Sequence, residues 1–226
     1  MPPLEGAENL WLAKALFDLG GIQFGSFTLP RGTIESPVYV DPRVLISEPE
    51  VLRRTAAVIA HETASGSLRR RPRVSPFTLV AGVPFGGLHL ATAYSLMSGT
   101  PMIYPRPPRT GGMGDIIEGR YQEGQTVLII DDLITHGSSI LQTKSLLEEA
   151  GLRVRDAVIL VDREAGGSER LRRHGVNLVA ILKLKTVLNH LRALELVSSE
   201  DFERSMTYLE GKHPDEPTSD YTGLPS

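Results

Sequence analysis

The sequence predicts an α/β protein in which helices cover both faces of a mainly parallel central sheet. Short apolar runs alternate with segments of helical periodicity along most of the 226 residues, which is the pattern of such folds. The clearest strand, residues 127–130, is apolar throughout, as expected for a strand buried on both faces. Two short turns, residues 82–87 and 135–139, each follow a predicted strand and open a predicted helix. Ligands of α/β sheets bind at the carboxyl ends of the strands, where both turns fall.

The other elements follow in a regular order. Apolar spacing predicts helices over residues 8–19, 48–64, 88–97, 140–150, 168–174, 186–196 and 200–209, the second with Ser47 as N-cap and the last two on the surface. Composition predicts strands over residues 22–29, 36–41, 77–81, 102–104, 155–161 and 176–182. Residues 105–121 form a long glycine-rich connection that we interpret as a lid, with a plain disordered excursion as the alternative. Residues 211–226 are polar and predict a disordered tail after a single domain over residues 1–210.

Composition and charge exclude several classes of function. The net charge of −3 gives no general electrostatic reason to bind nucleic acid or an anionic membrane. The basic run from Arg69 to Arg73 is most simply a solvated connection, and a nucleic-acid role that depends on it ranks last. The absence of cysteine rules out disulfides and thiolate chemistry. With neither a signal pattern nor an apolar run of about 20 residues, we expect a cytoplasmic protein.

The stretch of residues 127–139 carries the strongest chemical signal. Asp131 and Asp132 follow the apolar strand, and a small polar turn with Thr135, Ser138 and Ser139 leads into a helix. The N–H groups at such a helix start lack intrahelical partners and favour a phosphate. Two carboxylates beside a phosphate make sense if they accept hydrogen bonds from sugar hydroxyls or hold a metal that the phosphates share. Neither a Walker A loop nor a Gly-x-Gly-x-x-Gly fingerprint is present.

The order and spacing of this stretch resemble the phosphoribosyl pyrophosphate (PRPP) motif of type I phosphoribosyltransferases. The resemblance implies that Asp131 and Asp132 bind the ribose 2′ and 3′ hydroxyls and that the turn holds the 5′-phosphate. The implied PRPP-binding residues are Arg106, Asp131, Asp132, Leu133, Ile134, Thr135, His136, Gly137, Ser138 and Ser139. The turn at residues 82–87 is a further candidate, for the pyrophosphate. The plain alternative is a buried strand that ends in two solvated aspartates.

Four more stretches resemble orotate phosphoribosyltransferases in particular. They are residues 24–29 with 36–41, residues 82–85 with 90–92, Glu118 with Gly119, and residues 160–164 with 166–167. The resemblance places Arg163 on orotate, with Thr135 close to both substrates, and an Arg fork suits the orotate carboxylate. An ion pair of Arg163 with Asp162 or Glu164 is the structural alternative.

Two departures from the family pattern concern the substrate-facing loops. Pro30 and Arg31 stand where the family has a lysine after its Phe-x-Leu stretch. In the predicted lid, Arg106 matches the arginine of the family's mobile loop. Pro107 stands in place of the first of that loop's two lysines, and the second is at best replaced by Arg109. Arginine neutralises pyrophosphate but donates no proton near neutral pH.

The resemblance implies an orotate phosphoribosyltransferase of de novo pyrimidine (UMP) biosynthesis. It would convert orotate and PRPP into orotidine 5′-monophosphate and pyrophosphate, with Mg²⁺ bound mainly through PRPP. Asp131, Asp132 and Arg109 are the implied catalytic residues. The resemblance also implies a small N-terminal hood, formed by about residues 1–45 and part of the C-terminal region, and a homodimer with shared active sites. A catalytically weak PRPP-binding regulator and a transferase for another base remain alternatives.

Overall fold

The structure is a computed structural model that describes residues 9–28, 35–68, 74–106 and 117–211. These residues form eight strands: β1 Ile22–Thr28, β2 Glu35–Val40, β3 Leu79–Gly82, β4 Met102–Pro105, β5 Ile117–Glu118, β6 Thr126–Ile134, β7 Arg153–Asp162 and β8 Asn177–Lys183. The same residues form seven α-helices: α1 Leu10–Asp18, α2 Pro49–Leu68, α3 Leu88–Ser98, α4 Ser138–Glu149, α5 Gly167–Arg173, α6 Leu184–Ala193 and α7 Ser199–Glu210. A 3-10 helix, Pro42–Ser47, precedes α2.

The central sheet has the predicted, mainly parallel character. Its strand order is β5-β4-β3-β6-β7-β8. Neighbouring strands from β4 to β8 are parallel, whereas the short β5 pairs antiparallel with β4 at one edge. The long β6 lies between β3 and β7, so the residues at its carboxyl end are surrounded by the ends of two other strands.

Helices pack on both faces of this sheet, as the sequence predicts. One apolar cluster joins α1, α2, α3 and α6 to the sheet, and its fully buried members include Leu16, Ile59, Leu90 and Leu188. A second cluster on the other face includes Ile140 and Leu147 of α4 and Leu171 of α5. Because both faces are covered, the uniformly apolar residues of β6 have no solvated side, which explains their lack of alternation.

A separate two-stranded sheet forms the predicted hood. Strands β1 and β2 pair antiparallel, with a register shift between Phe24 and Phe27. The C-terminal helix α7 packs against β2, and Arg204 of α7 donates a hydrogen bond to the carbonyl of Gly25 at 3.5 Å. The hood therefore combines an N-terminal hairpin with a helix from the far end of the chain.

Several predicted bounds and environments are wrong. Strand β6 does not stop at Ile130 but continues through Asp131 and Asp132, because its residues keep pairing with β7 as far as Ile134. Ser47 belongs to the 3-10 helix and does not cap α2, which begins at Pro49. The helix predicted on the surface over residues 186–196 is α6, whose apolar stripe is buried in the core. Its amphipathic pattern fits a core-facing helix as well as a surface one.

Some predictions fall on parts of the chain that the structure leaves undescribed. These are Pro30 and Arg31, the basic run from Arg69 to Arg73, the lid residues Pro107 and Arg109, and the tail from residue 212 onward. Within the described ranges, no helix combines the length and the apolar character that crossing a membrane requires.

Candidate active site

The acidic pair lies in the last part of β6, at the centre of the sheet. Asp131 is 5% exposed, and its Oδ1 accepts a hydrogen bond from the backbone N–H of Asp132 at 2.9 Å. Asp132 is half-buried and points to the opposite side of the strand. The plain alternative of two solvated aspartates after the strand is therefore wrong, because both lie within the strand and one of them is buried.

Burial makes both carboxylates costly to ionise. It raises the pKa of Asp131 well above its ordinary value, and the negative charge of Asp132 raises it further. Burial also raises the pKa of Asp132, while the nearby positive charge of Arg43 lowers it. A group that offers hydroxyl donors or positive charge to this pair would relieve the penalty, so the electrostatics favour a sugar or a cation here.

The glycine-rich turn at residues 84–87 lies directly against the acidic pair. A Cβ atom on Gly86 would stand 2.4 Å from Oδ1 of Asp132, and one on Gly87 would stand 2.2 Å from the carbonyl oxygen of Ile130. The turn is held there because the N–H of Val83 bonds the same Ile130 carbonyl at 3.0 Å. Only glycine permits this approach, so the first of the two turns that the sequence singles out lies against the acidic pair.

The second turn, residues 135–137, connects β6 to α4. Gly137 adopts a positive φ of 79°, which favours glycine, and α4 starts at Ser138. Within the described residues, no side chain caps this helix start. The backbone N–H groups of its first turn are consequently left to bind an external acceptor, and an anion is the acceptor that the helix dipole favours.

Arg163 directly follows β7 and lies beside the turn at residues 135–139, called the phosphate turn below after the role that the family resemblance implies. Its backbone N–H bonds the carbonyl of Ile134 at 3.0 Å, which fixes it next to Thr135. The guanidinium is buried at 7% exposure and donates from Nη2 to Oγ of Ser36 at 3.3 Å. Burial lowers the pKa of Arg163, and a hydrogen bond with the Tyr208 hydroxyl of α7 opposes that change.

The alternative prediction, an ion pair of Arg163 with Asp162 or Glu164, is wrong. The carboxylate of Asp162 accepts a hydrogen bond from the backbone N–H of Glu164 at 2.7 Å. The carboxylate of Glu164 accepts one from the backbone N–H of Lys185 at 3.0 Å. Neither pairs with Arg163, and among the described residues no carboxylate forms an ion pair with it. A buried guanidinium that bonds hydroxyls and no carboxylate in the described part of the chain is suited to an anionic ligand.

Arg106 stands at the end of β4 and is already paired. Its Nε lies 2.8 Å from Oε1 of Glu118 on β5. Two residues that the family resemblance singles out separately therefore contact each other. Its partner residue in the lid prediction, Arg109, lies outside the described residues. The structure brings together Asp131, Asp132, Thr135 and Arg163, whereas Arg106 follows β4, which β3 separates from β6.

The sequence reasoning missed two arginines near the site. Arg43 forms a two-point ion pair with Asp41, at 2.6 Å and 2.8 Å, and its charge acts on Asp132. Arg170 of α5 donates to Oγ of Ser138 at 3.0 Å. The Asp-x-Arg spacing at 41–43 indicates a local ion pair, but no signal in the sequence indicates that either guanidinium approaches the residues around 132–138.

Comparison with known proteins agrees with this geometry. Residues 76–179 match the family model described as phosphoribosyl transferase domain. The chain is 35% identical to orotate phosphoribosyltransferase of Chlamydia caviae over 86% of this chain and 91% of the relative. It is also 35% identical to uridine 5′-monophosphate synthase of Bos taurus, over 88% of this chain. This chain spans 40% of the length of that bovine relative. The solved structure of orotate phosphoribosyltransferase from Aeropyrum pernix aligns with a TM-score of 0.67 and 34% identity, covering 80% of this chain and 99% of that one.

Proposed function

This chain belongs to the orotate phosphoribosyltransferase family, and we propose that it transfers the phosphoribosyl group of PRPP to orotate. The products are orotidine 5′-monophosphate and pyrophosphate, in the de novo route to UMP. The observation that carries the proposal is the buried guanidinium of Arg163, which has only neutral hydroxyl partners among the described residues. It stands one strand away from the acidic pair of β6, so an anionic base and a ribose would meet between them.

Asp131 and Asp132 bind the ribose in this proposal. Their carboxylates accept hydrogen bonds from the 2′ and 3′ hydroxyls, which compensates the burial that raises their pKa values. As pyrophosphate leaves, C1′ acquires oxocarbenium character, and a nearby negative charge stabilises that positive centre. The chain's contribution is thus orientation of the ribose and electrostatic stabilisation at a fixed place.

The phosphate turn and Arg163 hold the two ends of the reacting system. The N–H groups at the start of α4, with Thr135, Ser138 and Ser139, bind the 5′-phosphate. Arg163 binds the orotate carboxylate through two parallel hydrogen bonds, because its planar fork matches that group. With Thr135 between them, the attacking nitrogen of orotate is presented to C1′ in a defined direction.

Pyrophosphate neutralisation is assigned to the glycine-rich turn, Arg106 and Arg109. The backbone of Gly86 and Gly87 can approach the phosphates because no side chain intervenes. We propose that Mg²⁺ binds mainly through PRPP oxygens and supplies charge neutralisation for the leaving group. The acidic pair fits such a cation, because burial raises the pKa values of Asp131 and Asp132 and a nearby positive charge would relieve that penalty.

A homodimer in the cytoplasm completes the proposal. The family resemblance supports both parts of this proposal. Large apolar side chains exposed on the surface support the homodimer: Ile46 at 57%, Leu96 at 83% and Met97 at 41%. Neither nucleic acid nor a membrane is a proposed partner. Light scattering of the purified protein gives the mass of the assembly directly.

Orotate-dependent release of pyrophosphate by the purified protein, with PRPP and Mg²⁺, tests the reaction. Turnover with orotate and none with uracil, hypoxanthine or adenine supports the proposal. Turnover with another base alone makes the chain a transferase for that base. The departures in the lid sequence favour one further function, a regulator, which would bind PRPP in calorimetry without turning over any base.

A further inference from the structure

The phosphate turn is fixed to the segment that follows β7 by several hydrogen bonds. The N–H of Gly167 bonds the carbonyl of Thr135 at 3.0 Å, and Nδ1 of His136 lies 3.0 Å from the carbonyl of Ala165. A Cβ on Gly167 would stand 2.4 Å from the same Thr135 oxygen, so the two segments are in direct contact. Helix α5 therefore begins beside the turn that the proposed function assigns to the 5′-phosphate.

One guanidinium of α5 reaches that turn. Nη1 of Arg170 donates to Oγ of Ser138 at 3.0 Å and lies 3.5 Å from the carbonyl oxygen of His136. Arg170 is half-buried, and among the described residues no carboxylate pairs with it. The hydroxyl and the carbonyl carry no net charge, so the positive charge of Arg170 is not neutralised there.

The neighbouring arginines on α5 behave differently. Arg172 donates to Glu169 at 2.9 Å through both Nε and Nη2, and Arg173 bonds the same carboxylate at 3.1 Å. Both are exposed, and the hydrogen bond from Arg172 lowers the pKa of Glu169. The helix thus holds two arginines in a solvated ion-pair group and one at the phosphate turn.

We propose that Arg170 is a further PRPP-binding residue, whose guanidinium neutralises the 5′-phosphate held at residues 135–139. The inference rests on the proposed function, because that function identifies the turn as the phosphate site. Arginine suits the task because it keeps its charge at all relevant pH values and still has N–H groups besides the one bonded to Ser138. A hydroxyl-anchored guanidinium also needs little reorganisation when the ligand arrives.

Ribose 5-phosphate and pyrophosphate are the probes that isolate this role. Calorimetry with ribose 5-phosphate should show an affinity loss of about tenfold or more in Arg170→Ala and in Arg170→Gln, because a charged hydrogen bond to the phosphate is lost. Arg170→Lys should recover most of the affinity, since it restores the charge. Pyrophosphate affinity should stay at the wild-type value in all three variants.

Arg172→Ala is the matched control on the same helix, and it should leave both affinities and the unfolding temperature unchanged. Equal binding of ribose 5-phosphate by Arg170→Ala and wild type overturns the inference. So does an equal loss in Arg170→Lys and Arg170→Ala with a lowered unfolding temperature, which indicates a purely structural role. A wild type that binds ribose 5-phosphate through Arg170 but never turns over orotate leaves this inference standing and overturns the proposed function.

Discussion

The guanidinium of Arg163 donates a hydrogen bond to the hydroxyl of Ser36 across 3.3 Å, although the two residues are 127 positions apart. The bond joins the end of β7 in the central sheet to β2 of the hood. Ser36 is fully buried, and its hydroxyl donates in turn to the carbonyl of Val38 at 2.7 Å. The position of the proposed base-binding arginine therefore depends on the packing of the hood against the sheet.

Arg163→Ala should weaken orotate binding far more than PRPP binding. The loss of a charged, two-point contact costs on the order of 1.5–3 kcal/mol, which raises the orotate KM by about tenfold to a hundredfold. Steady-state kinetics with each substrate varied in turn measure this. Arg172→Ala, which removes an exposed arginine from an ion pair with Glu169, is the control. An equal rise of both KM values would point instead to a structural arginine.

Tyr208→Phe tests whether α7 positions that arginine. The variant keeps the ring and removes only the hydroxyl that bonds Arg163. We expect the orotate KM to rise by about threefold to tenfold with an unchanged PRPP KM and unfolding temperature. Tyr121→Phe is the matched control, because Tyr121 is half-buried in the cluster on the other face of the sheet. Unchanged orotate kinetics in Tyr208→Phe would assign the positioning of the guanidinium to Ser36 and not to α7.

The sequence predicts the central sheet well because its signal is local. A uniformly apolar run such as Ile129 and Ile130 indicates a doubly buried strand whatever follows it. It does not indicate where the strand ends, because Asp131 and Asp132 are kept in β6 by pairing with β7, a contact between distant segments. Propensity alone ends a strand at such residues, and tertiary pairing overrides it.

The family resemblance predicts the acidic pair, the turn at residues 135–139 and Arg163 as site residues, but it does not predict the contacts that support them. Ser36, Tyr208 and Arg170 reach the site from the hood, the C-terminal helix and α5, and no spacing in the sequence connects them. Sequence spacing also fails to show that Arg163 forms no ion pair with Asp162 or Glu164. Adjacent carboxylates in the sequence are engaged by backbone N–H groups that only the fold brings near.

Gly86→Ala should impair PRPP binding without unfolding the protein. The new Cβ would lie 2.4 Å from Oδ1 and 2.6 Å from Cγ of Asp132, so the carboxylate or the turn must move. We expect PRPP affinity to fall by about tenfold or more, since charged hydrogen bonds to the ribose are lost. Calorimetry measures the effect. Gly25→Ala is the control, because its Cβ would meet Phe27 at an ordinary 3.4 Å. Equal affinities in wild type and Gly86→Ala would separate this turn from the site.

His89→Leu should make the protein less sensitive to acid. Both imidazole nitrogens of His89 are buried without a hydrogen-bond partner in the described part of the chain, and burial lowers the pKa to about 4. The group is neutral in the folded state and takes up a proton on unfolding below about pH 6.5. The neutral imidazole therefore lowers the free energy of unfolding only below that pH, and the stability lost in this way increases as the pH falls toward 4.

Thermal unfolding between pH 4 and 8 measures the effect of His89→Leu. The unfolding temperature of the variant should exceed that of wild type by a margin that grows as the pH is lowered from 7 to 5. His136→Leu is not a suitable comparison because His136 belongs to the turn at residues 135–139, but His174→Leu is suitable, since His174 is exposed. A constant difference across the pH range would contradict the assignment of the acid sensitivity to His89.

Substitution of Arg109 in the predicted lid separates an enzyme from a regulator. If Arg109 neutralises pyrophosphate in place of the family's lysine, Arg109→Ala should lower kcat strongly and change PRPP affinity little, because the charge it meets develops in the transition state. Arg109→Lys should keep or raise the activity, since lysine also supplies a transferable proton. In a regulator, wild type binds PRPP without turnover and Arg109→Ala changes nothing. Normal turnover in both wild type and Arg109→Ala would defeat the assignment. Neutralisation of pyrophosphate would then depend on Arg106, which must leave its 2.8 Å contact with Glu118, or on the turn at Gly86 and Gly87.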